Sequence, residues 1–281
     1  MNRGILYIVG TPIGNLGDIT IRALDTLKNV DIILAEDTRQ TLKLLNHFNI
    51  EKRLVSYHRH NEDEKIAQVV SFLNDGKNLA LVSDAGMPII SDPGQNLIKY
   101  LIQNDYEVIV IPGVTALITG IVKSGFDSTR FAFEGFLSVN KKQRNKRLNS
   151  LVNETRTMIF YEAPHKILVT LKSIEETLGN RNICIARELT KIHEEYLHLT
   201  VKEAIEKIEQ EGIRGEIVLL IEGVSEDSLE AKRKEEMLEI DSRELVRKYI
   251  ESGMSKKDAI KTVAKEKKIS KNEVYKECID I

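Results

Sequence analysis

The sequence predicts a two-lobed α/β fold: a parallel-sheet N-terminal lobe, a mixed-sheet C-terminal lobe and a small helical, helix-turn-helix-like extension. Three observations predict it. Between residues 5 and 111, short apolar runs rich in β-formers alternate with segments of helical periodicity, the rhythm of parallel βαβ units. Beyond residue 130, the runs at 183–186 and 196–199 lie only about ten residues apart, too close for a crossover helix. After Gly223 strand-like runs stop and short capped helical patterns begin.

In the first lobe, Ile5–Val9, Val30–Ala35, Leu79–Val82 and Val108–Ile111 are the expected strands, apolar throughout as in a sheet covered on both faces. Thr20–Lys28, Asp37–Asn46, Asn61–Leu73 and Gln95–Gln103 are the expected helices; the third carries Ile66, Val69, Val70 and Leu73 on one face. In the second lobe the strands are Phe131–Phe136, Met158–Tyr161, Ile183–Ala186, Tyr196–Leu199 and Ile217–Ile221. Its helices are Gln143–Asn153, His165–Leu178 and Val201–Gln210. The change of pattern puts a boundary near 115–128, giving lobes of residues 1–117 and 118–224 and an extension of 225–281.

Ser225–Glu239 reads as a charged linker with partial helix. Leu245, Val246, Tyr249 and Ile250 form one apolar face and Gly253 a helix stop. Ser255-x-x-Asp258 and Ser270-x-x-Glu273 are capping-box starts for two more helices. Ala259, Ile260, Val263, Ala264, Ile269, Val274 and Cys278 are the expected core of this piece, whose tight Gly turn resembles a helix-turn-helix.

The 281 residues carry a formal net charge of −2, so nucleic acid would have to bind a local basic patch. Cys184 and Cys278, the two cysteines, have no metal-ligand spacing and suit a reducing compartment. Met1–Gly4 leads into an apolar run too short for a signal-peptide core, and no window holds 18 apolar residues. The expectation is a cytosolic protein with no membrane span and no metal.

Chemistry concentrates in the turns after strands. Gly10-Thr11-Pro12-Ile13-Gly14-Asn15-Leu16-Gly17 allows close backbone approach to a ligand, yet is neither a Walker A loop nor a dinucleotide fingerprint. Ser83-Asp84-Ala85-Gly86-Met87-Pro88 and Ser91-Asp92-Pro93-Gly94 follow the strand at 79–82, and Ile111-Pro112-Gly113-Val114-Thr115-Ala116 follows that at 108–111. Ligands of open α/β sheets bind beyond the carboxyl ends of strands, so these turns should face one crevice. Asp84 is placed to accept hydrogen bonds from a ribose or an amino group. Asp92 is expected to cap the helix beginning at Gly94 or Gln95.

Seven blocks taken in order carry a more specific signal: Val9–Leu16, Ala35-Glu-Asp-Thr-Arg39, Val82–Pro88, Ser91-Asp-Pro-Gly94, Ile111–Ala116, Phe160-Tyr-Glu-Ala-Pro-His165 and Ala186-Arg-Glu-Leu-Thr-Lys191. Together they resemble the tetrapyrrole-methylase superfamily and, within it, the ribosomal RNA small subunit methyltransferase I family, over about residues 4–224; the trailing helices also resemble that family's C-terminal domain. The resemblance implies S-adenosylmethionine as cofactor, 2′-O-methylation of a cytidine in the decoding region of 16S rRNA, naked or within the 30S subunit, and a homodimer. Carried over by position, it implies cofactor contacts at Pro12, Ile13, Asp84, Met87, Thr115 and Ala116, and in the second lobe at Tyr161, Ala186 and Glu216. Where many superfamily members have Gly-Asp-Pro, this chain has Ser83-Asp84-Ala85, with the proline displaced to Pro88.

A ribose hydroxyl is a weak nucleophile until deprotonated, so a general base is sought. Glu36 and Asp37 follow the strand at 30–35 and should face the crevice, with Arg39 near enough to offset them or hold a phosphate. The bland alternative makes Asp37 a helix cap and Arg39 its partner. Glu188 and Lys191 are the second candidate pair, with Arg187 as a phosphate ligand; the alternative there is a salt-bridged loop. His165 could accept a proton, stack on a base or merely start a helix. Lys141-Lys142-Gln143-Arg144-Asn145-Lys146-Arg147, five basic residues in seven, is the strongest candidate for RNA phosphate contact. The stretch from Leu245 onward adds ten basic residues against six acidic ones. Two other readings stay open: a same-fold methyltransferase acting on a tetrapyrrole or a protein, and a nucleotide-sensing regulator with a helix-turn-helix effector.

Overall fold

The computed structural model describes residues 3–59 and 61–280, with all their side chains except 63, 233, 234 and 236–239. Met1 and Asn2, the start of the Met1–Gly4 segment read above, lie outside the described residues. The first sheet comprises β1 (Leu6–Val9), β2 (Ile32–Ala35), β3 (Arg53–Ser56), β4 (Leu79–Val82) and β5 (Val108–Ile111). Its order is β3-β2-β4-β1-β5, parallel throughout. Alternation along each strand divides the core in two. Leu6, Ile8, Ile32, Leu34, Leu79 and Leu81 pack against α3 (Glu62–Asn74) and α4 (Gln95–Gln103). Val9, Ile33, Ala35, Ala80 and Val82 pack against α1 (Ile21–Asn29) and α2 (Thr38–His47).

β3 is not among the expected strands. It is an edge strand whose Arg53 is exposed and whose Leu54, Val55 and Ser56 are half-buried, so it lacks the fully apolar run of its neighbours.

The second lobe follows α5 (Ala116–Lys123) with β6 (Phe131–Phe136), α6 (Lys141–Asn149), β7 (Thr157–Glu162), α7 (Ile167–Leu178), β8 (Asn182–Arg187), β9 (Glu195–Thr200), α8 (Val201–Glu211) and β10 (Ile217–Ile221). The order is β6-β7-β10-β8-β9; β6 and β7 pair in parallel and the other neighbours are antiparallel, including the closely spaced β8 and β9. One face buries Met158, Phe160, Ile185 and Leu219 under α7 and α8. The other buries Ile159, Ala186, Val218 and Leu220 against Ile121 of α5 and against Ile13 of the first lobe. Pro164, His165 and Lys166 form a turn, so α7 starts two residues later than expected and His165 stands exposed before it.

The chain divides into two compact units: residues to Val152 with Arg156–Glu222, and Asn153–Thr155 with the chain from Gly223 onward. The second unit is helical: α9 (Glu226–Glu239), α10 (Ser242–Glu251), α11 (Lys256–Glu266) and α12 (Lys271–Glu277). α9 is a continuous helix where a linker with partial helix is expected; Ser225 Oγ accepts from Ser228 N at 3.2 Å, and Glu226 and Asp227 fall in the first turn, where the dipole favours them. Ser255 and Ser270 cap α11 and α12, the latter in a full capping box with Glu273. Leu245, Val246, Ala259, Val263, Val274 and Cys278 form the core, while Ile269, expected there, is exposed. Among the described residues no helix is long and apolar enough to cross a membrane.

Candidate active site

The turns at the carboxyl ends of β1, β4 and β5 are locked into one another. Thr11 and Gly86 exchange backbone hydrogen bonds at 2.9 and 3.0 Å, and the Thr11 hydroxyl donates to Ser83 O at 3.3 Å. Gly10 N donates to Ile111 O at 3.1 Å. A Cβ on Gly10 would stand 2.7 Å from Met87 Sδ and 2.8 Å from Gly113 Cα, so backbone meets backbone here and only glycine fits.

Beside these turns lies a cavity of about 430 Å³ between the lobes of the first unit. Ile13, Asp84, Met87, Thr115, Ala116, Tyr161 and Glu216 all line it. Pro12 and Ala186, the other two expected contacts, do not line it. Pro12 is buried behind the first turn, and Ala186, fully buried in β8, packs in the core between that sheet and α5. Thr115 caps α5 by accepting from Ile118 N, and the Tyr161 hydroxyl accepts from Leu117 N at 3.2 Å, joining the wall of one lobe to the turn of the other.

Asp92 corrects an expectation. Gly94, with φ +126°, occupies the N-cap of α4, and Asp92 turns into the cavity instead. Burial, then the charge of Glu36, pushes its carboxyl up to about 6, although the Ser83 hydroxyl donates to it. Glu36 also lines the cavity, its carboxyl raised by burial and by Asp84. Ser91, Phe136, Glu162 and Leu189 complete the wall and went unselected in the sequence. Glu162 is buried, accepting from Ala163 N at 2.8 Å and Thr170 Oγ1 at 2.6 Å. The Phe160–His165 block, from which Tyr161 was taken, also holds Glu162 and was the signal that could have found it.

The remaining base candidates are engaged elsewhere. Asp37 caps α2, accepting from Arg39 N at 2.8 Å, and its carboxylate pairs with the Arg39 guanidinium at 2.7 Å. Those hydrogen bonds lower its carboxyl to about 2, which makes it a poor proton acceptor. Glu188 and Lys191 sit behind the wall rather than on it. Lys191 Nζ donates to Glu188 Oε1 at 3.0 Å and Glu216 Oε2 at 3.1 Å. Burial disfavours the Lys191 charge, but the two carboxylates outweigh it and hold the ammonium protonated, while Lys191 lowers the Glu188 carboxyl. The salt-bridged reading describes this pair.

The basic stretch divides as well. Lys141, Lys142 and Lys146 are exposed along α6. Arg144 is not available to a phosphate: it is 6% exposed, bonded to Ser173 Oγ at 2.9 Å and to the carbonyls of Ser138 and Val139 at 3.1 Å. Arg147 binds Glu134 at 2.6 Å. Arg187 pairs with Glu195 at 2.6 Å and lines a separate groove beside α8.

An interlobe cavity at the switch between a parallel and a mixed sheet, floored by interlocked Gly/Pro turns, defines a tetrapyrrole methylase, and the family model "Tetrapyrrole (Corrin/Porphyrin) Methylases" matches residues 5–205. Among solved structures, the uroporphyrin-III C-methyltransferase of Thermus thermophilus complexed with S-adenyl homocysteine superposes with a TM-score of 0.58 at 17% identity, over 78% of this chain and 97% of that one. The ribosomal RNA small subunit methyltransferase I of Bacillus subtilis (strain 168) is 45% identical over 275 residues, 98% of this chain and 94% of its own. That of Thermotoga maritima is 48% identical over 220 residues, 78% of this chain and 99% of its own. The chain belongs to the ribosomal RNA small subunit methyltransferase I family.

Proposed function

We propose that the chain transfers a methyl group from S-adenosylmethionine to the 2′-hydroxyl of a cytidine in the decoding region of 16S rRNA, in the cytosol and as a homodimer. The observation that carries this reading is the cavity. Its size falls in the range of small-molecule sites, and Ile13, Met87, Ile90 and Phe136 give it an apolar wall. Glu36, Asp84, Asp92, Glu162 and Glu216 give it carboxylates, and no Lys or Arg lines it among the described residues. Such a wall suits an amphipathic cation, and S-adenosylmethionine carries positive charge on both its sulfonium and its ammonium.

The cofactor supplies the methyl group and the leaving group. The protein's part is alignment, and the interlocked turns fix the floor against which a nucleotide would be aligned. Lys141, Lys142 and Lys146 stand on the helix that follows Phe136 of the cavity wall, which supports a polyanionic acceptor over a tetrapyrrole. The homodimer is what family resemblance implies. β5 is an edge strand with Val110 56% exposed and Ile102 61% exposed beside it, an apolar face a second copy would cover.

Incubation with radiolabelled S-adenosylmethionine and 30S subunits, naked 16S rRNA, a tetrapyrrole or a protein extract, followed by nucleoside digestion and mass spectrometry, tests the reading. Label in 2′-O-methylcytidine is expected. Label on a nucleobase, a tetrapyrrole or a protein would overturn it.

A further inference from the structure

The segment 89–94 is held in a conformation that its residues disfavour. Ile89 has φ +78° and Ser91 φ +70°, left-handed backbone that a β-branched residue rarely adopts. Two side chains hold it there. The Arg59 guanidinium donates to Ser91 O. Glu62 Oε2 accepts from Gly94 N at 3.0 Å, and its Oε1 from Asn96 at 3.3 Å. What this arrangement presents is Asp92, a carboxylate on the cavity wall that caps no helix and lies among Glu36, Asp84 and Tyr161. Backbone strain over-determined by its surroundings is a mark of a working residue.

We infer that Asp92 is the proton acceptor for the attacking hydroxyl, held in place by the strained segment 89–94. The inference deepens the proposed reading and rests on its hydroxyl acceptor. As the hydroxyl oxygen forms its bond to the methyl carbon, the O–H proton passes to a carboxylate oxygen of Asp92, and the electron pair of the broken carbon–sulfur bond stays on sulfur. The charged and titratable groups facing Asp92 are Glu36 and Asp84, which raise its carboxyl, Arg59, which lowers it, and the Tyr161 hydroxyl. A base with its carboxyl near 6 is mostly ionised at neutral pH and still basic enough to take a proton.

The test uses the full chain with 30S subunits. Asp92→Asn should lower kcat by roughly 10² to 10⁴, raise the S-adenosylmethionine Kd by calorimetry by far less than that, and abolish the acid limb of the kcat profile expected for the wild type near pH 6. Glu36→Gln, by removing a neighbouring negative charge, should move that limb to lower pH. Wild-type kcat in Asp92→Asn, or a loss matched by weaker cofactor binding, would overturn the inference alone. A wild-type product methylated on a base atom would overturn the underlying reading, and the inference with it.

Discussion

Glu36, Asp84 and Asp92 at one side of the cavity, and Glu188 and Glu216 at the other, are both sets of carboxylates gathered at strand ends, yet their surroundings differ. On the first side burial raises all three carboxyls, with added repulsion from Asp84 on Glu36, from Asp37 on Asp84 and from Glu36 and Asp84 on Asp92, and the nearest cations act only in part: Arg39 is committed to Asp37, and Arg59 to the Ser91 carbonyl. On the second side Lys191 joins Glu188 to Glu216, and Glu188 also accepts from Glu216 N at 3.1 Å. The difference separates chemistry from architecture. Desolvated carboxylates without a dedicated cation cost stability and persist where they have a task, whereas paired ones hold two loops together.

The most severe way to break the first side is through its floor. Gly10→Val would drive a side chain into Met87 and the Gly113 backbone, and overpacking of this kind costs about 1–3 kcal/mol. We expect kcat to fall at least about 100-fold, since misplacing aligned groups by an ångström costs that much in rate, and calorimetry to show weakened cofactor binding. Gly14→Val tests the second side, where a Cβ meets the flexible Lys191 chain at 2.6 Å and Leu189 O at 3.0 Å, and should cost less.

Arg144→Leu comes next. It strands the Ser138 and Val139 carbonyls, and a buried acceptor left unpaired costs about 1–3 kcal/mol. Thermal denaturation should show Tm falling by about 2–8 °C, while Lys142→Ala with Lys146→Ala leaves Tm alone and flattens the salt dependence of RNA binding. A wild-type Tm in Arg144→Leu would return that residue to the phosphate-binding set.

Asp92→Asn and Lys191→Met should move stability in opposite directions. A carboxyl raised to about 6 in the folded chain contributes stability that is present below its ordinary value and lost as pH rises through 6. Asparagine cannot ionise, so Asp92→Asn should raise stability at pH 7.5 and not at pH 4, by about 1 kcal/mol once solvent screening is allowed for. Lys191→Met leaves Glu188 and Glu216 without their cation and should lower Tm at neutral pH by a few degrees, about 0.5–1 kcal/mol for a partly exposed pair. Should Asp92→Asn lower stability at pH 7.5, the contrast between the two sides fails.

Much of this architecture was legible in the residues. The apolar runs of β1, β2, β4 and β5 and the spacing of β8 and β9 announced a parallel and a mixed sheet, and the turn glycines announced the cavity floor. What stayed hidden depended on tertiary placement. β3 is half-buried at an edge and carries no periodic signal. Asp92 and Asp37 both precede helices, and only the backbone decides that Asp37 caps while Asp92 turns inward. Arg144 shares a sequence with four exposed cations, but α6 rotates it under Ser173.

The smallest expected effect concerns the helical unit. It has its own core around Val246, Ala259 and Val263 and its own caps at Ser255 and Ser270. The Thermotoga maritima relative matches 99% of its own length with 220 residues, leaving about a fifth of this chain without counterpart in it. Removing the chain from Gly223 onward should therefore change cofactor affinity less than about twofold, the limit within which independent regions add. The same deletion removes fourteen basic and fourteen acidic residues, but the basic excess is local, ten against six from Leu245 onward, so affinity for 30S subunits should fall and its salt dependence should flatten. A tenfold loss of cofactor binding in the shortened chain would mean that the helices contribute to the cavity after all, and the contrast between its two sides would have to include them.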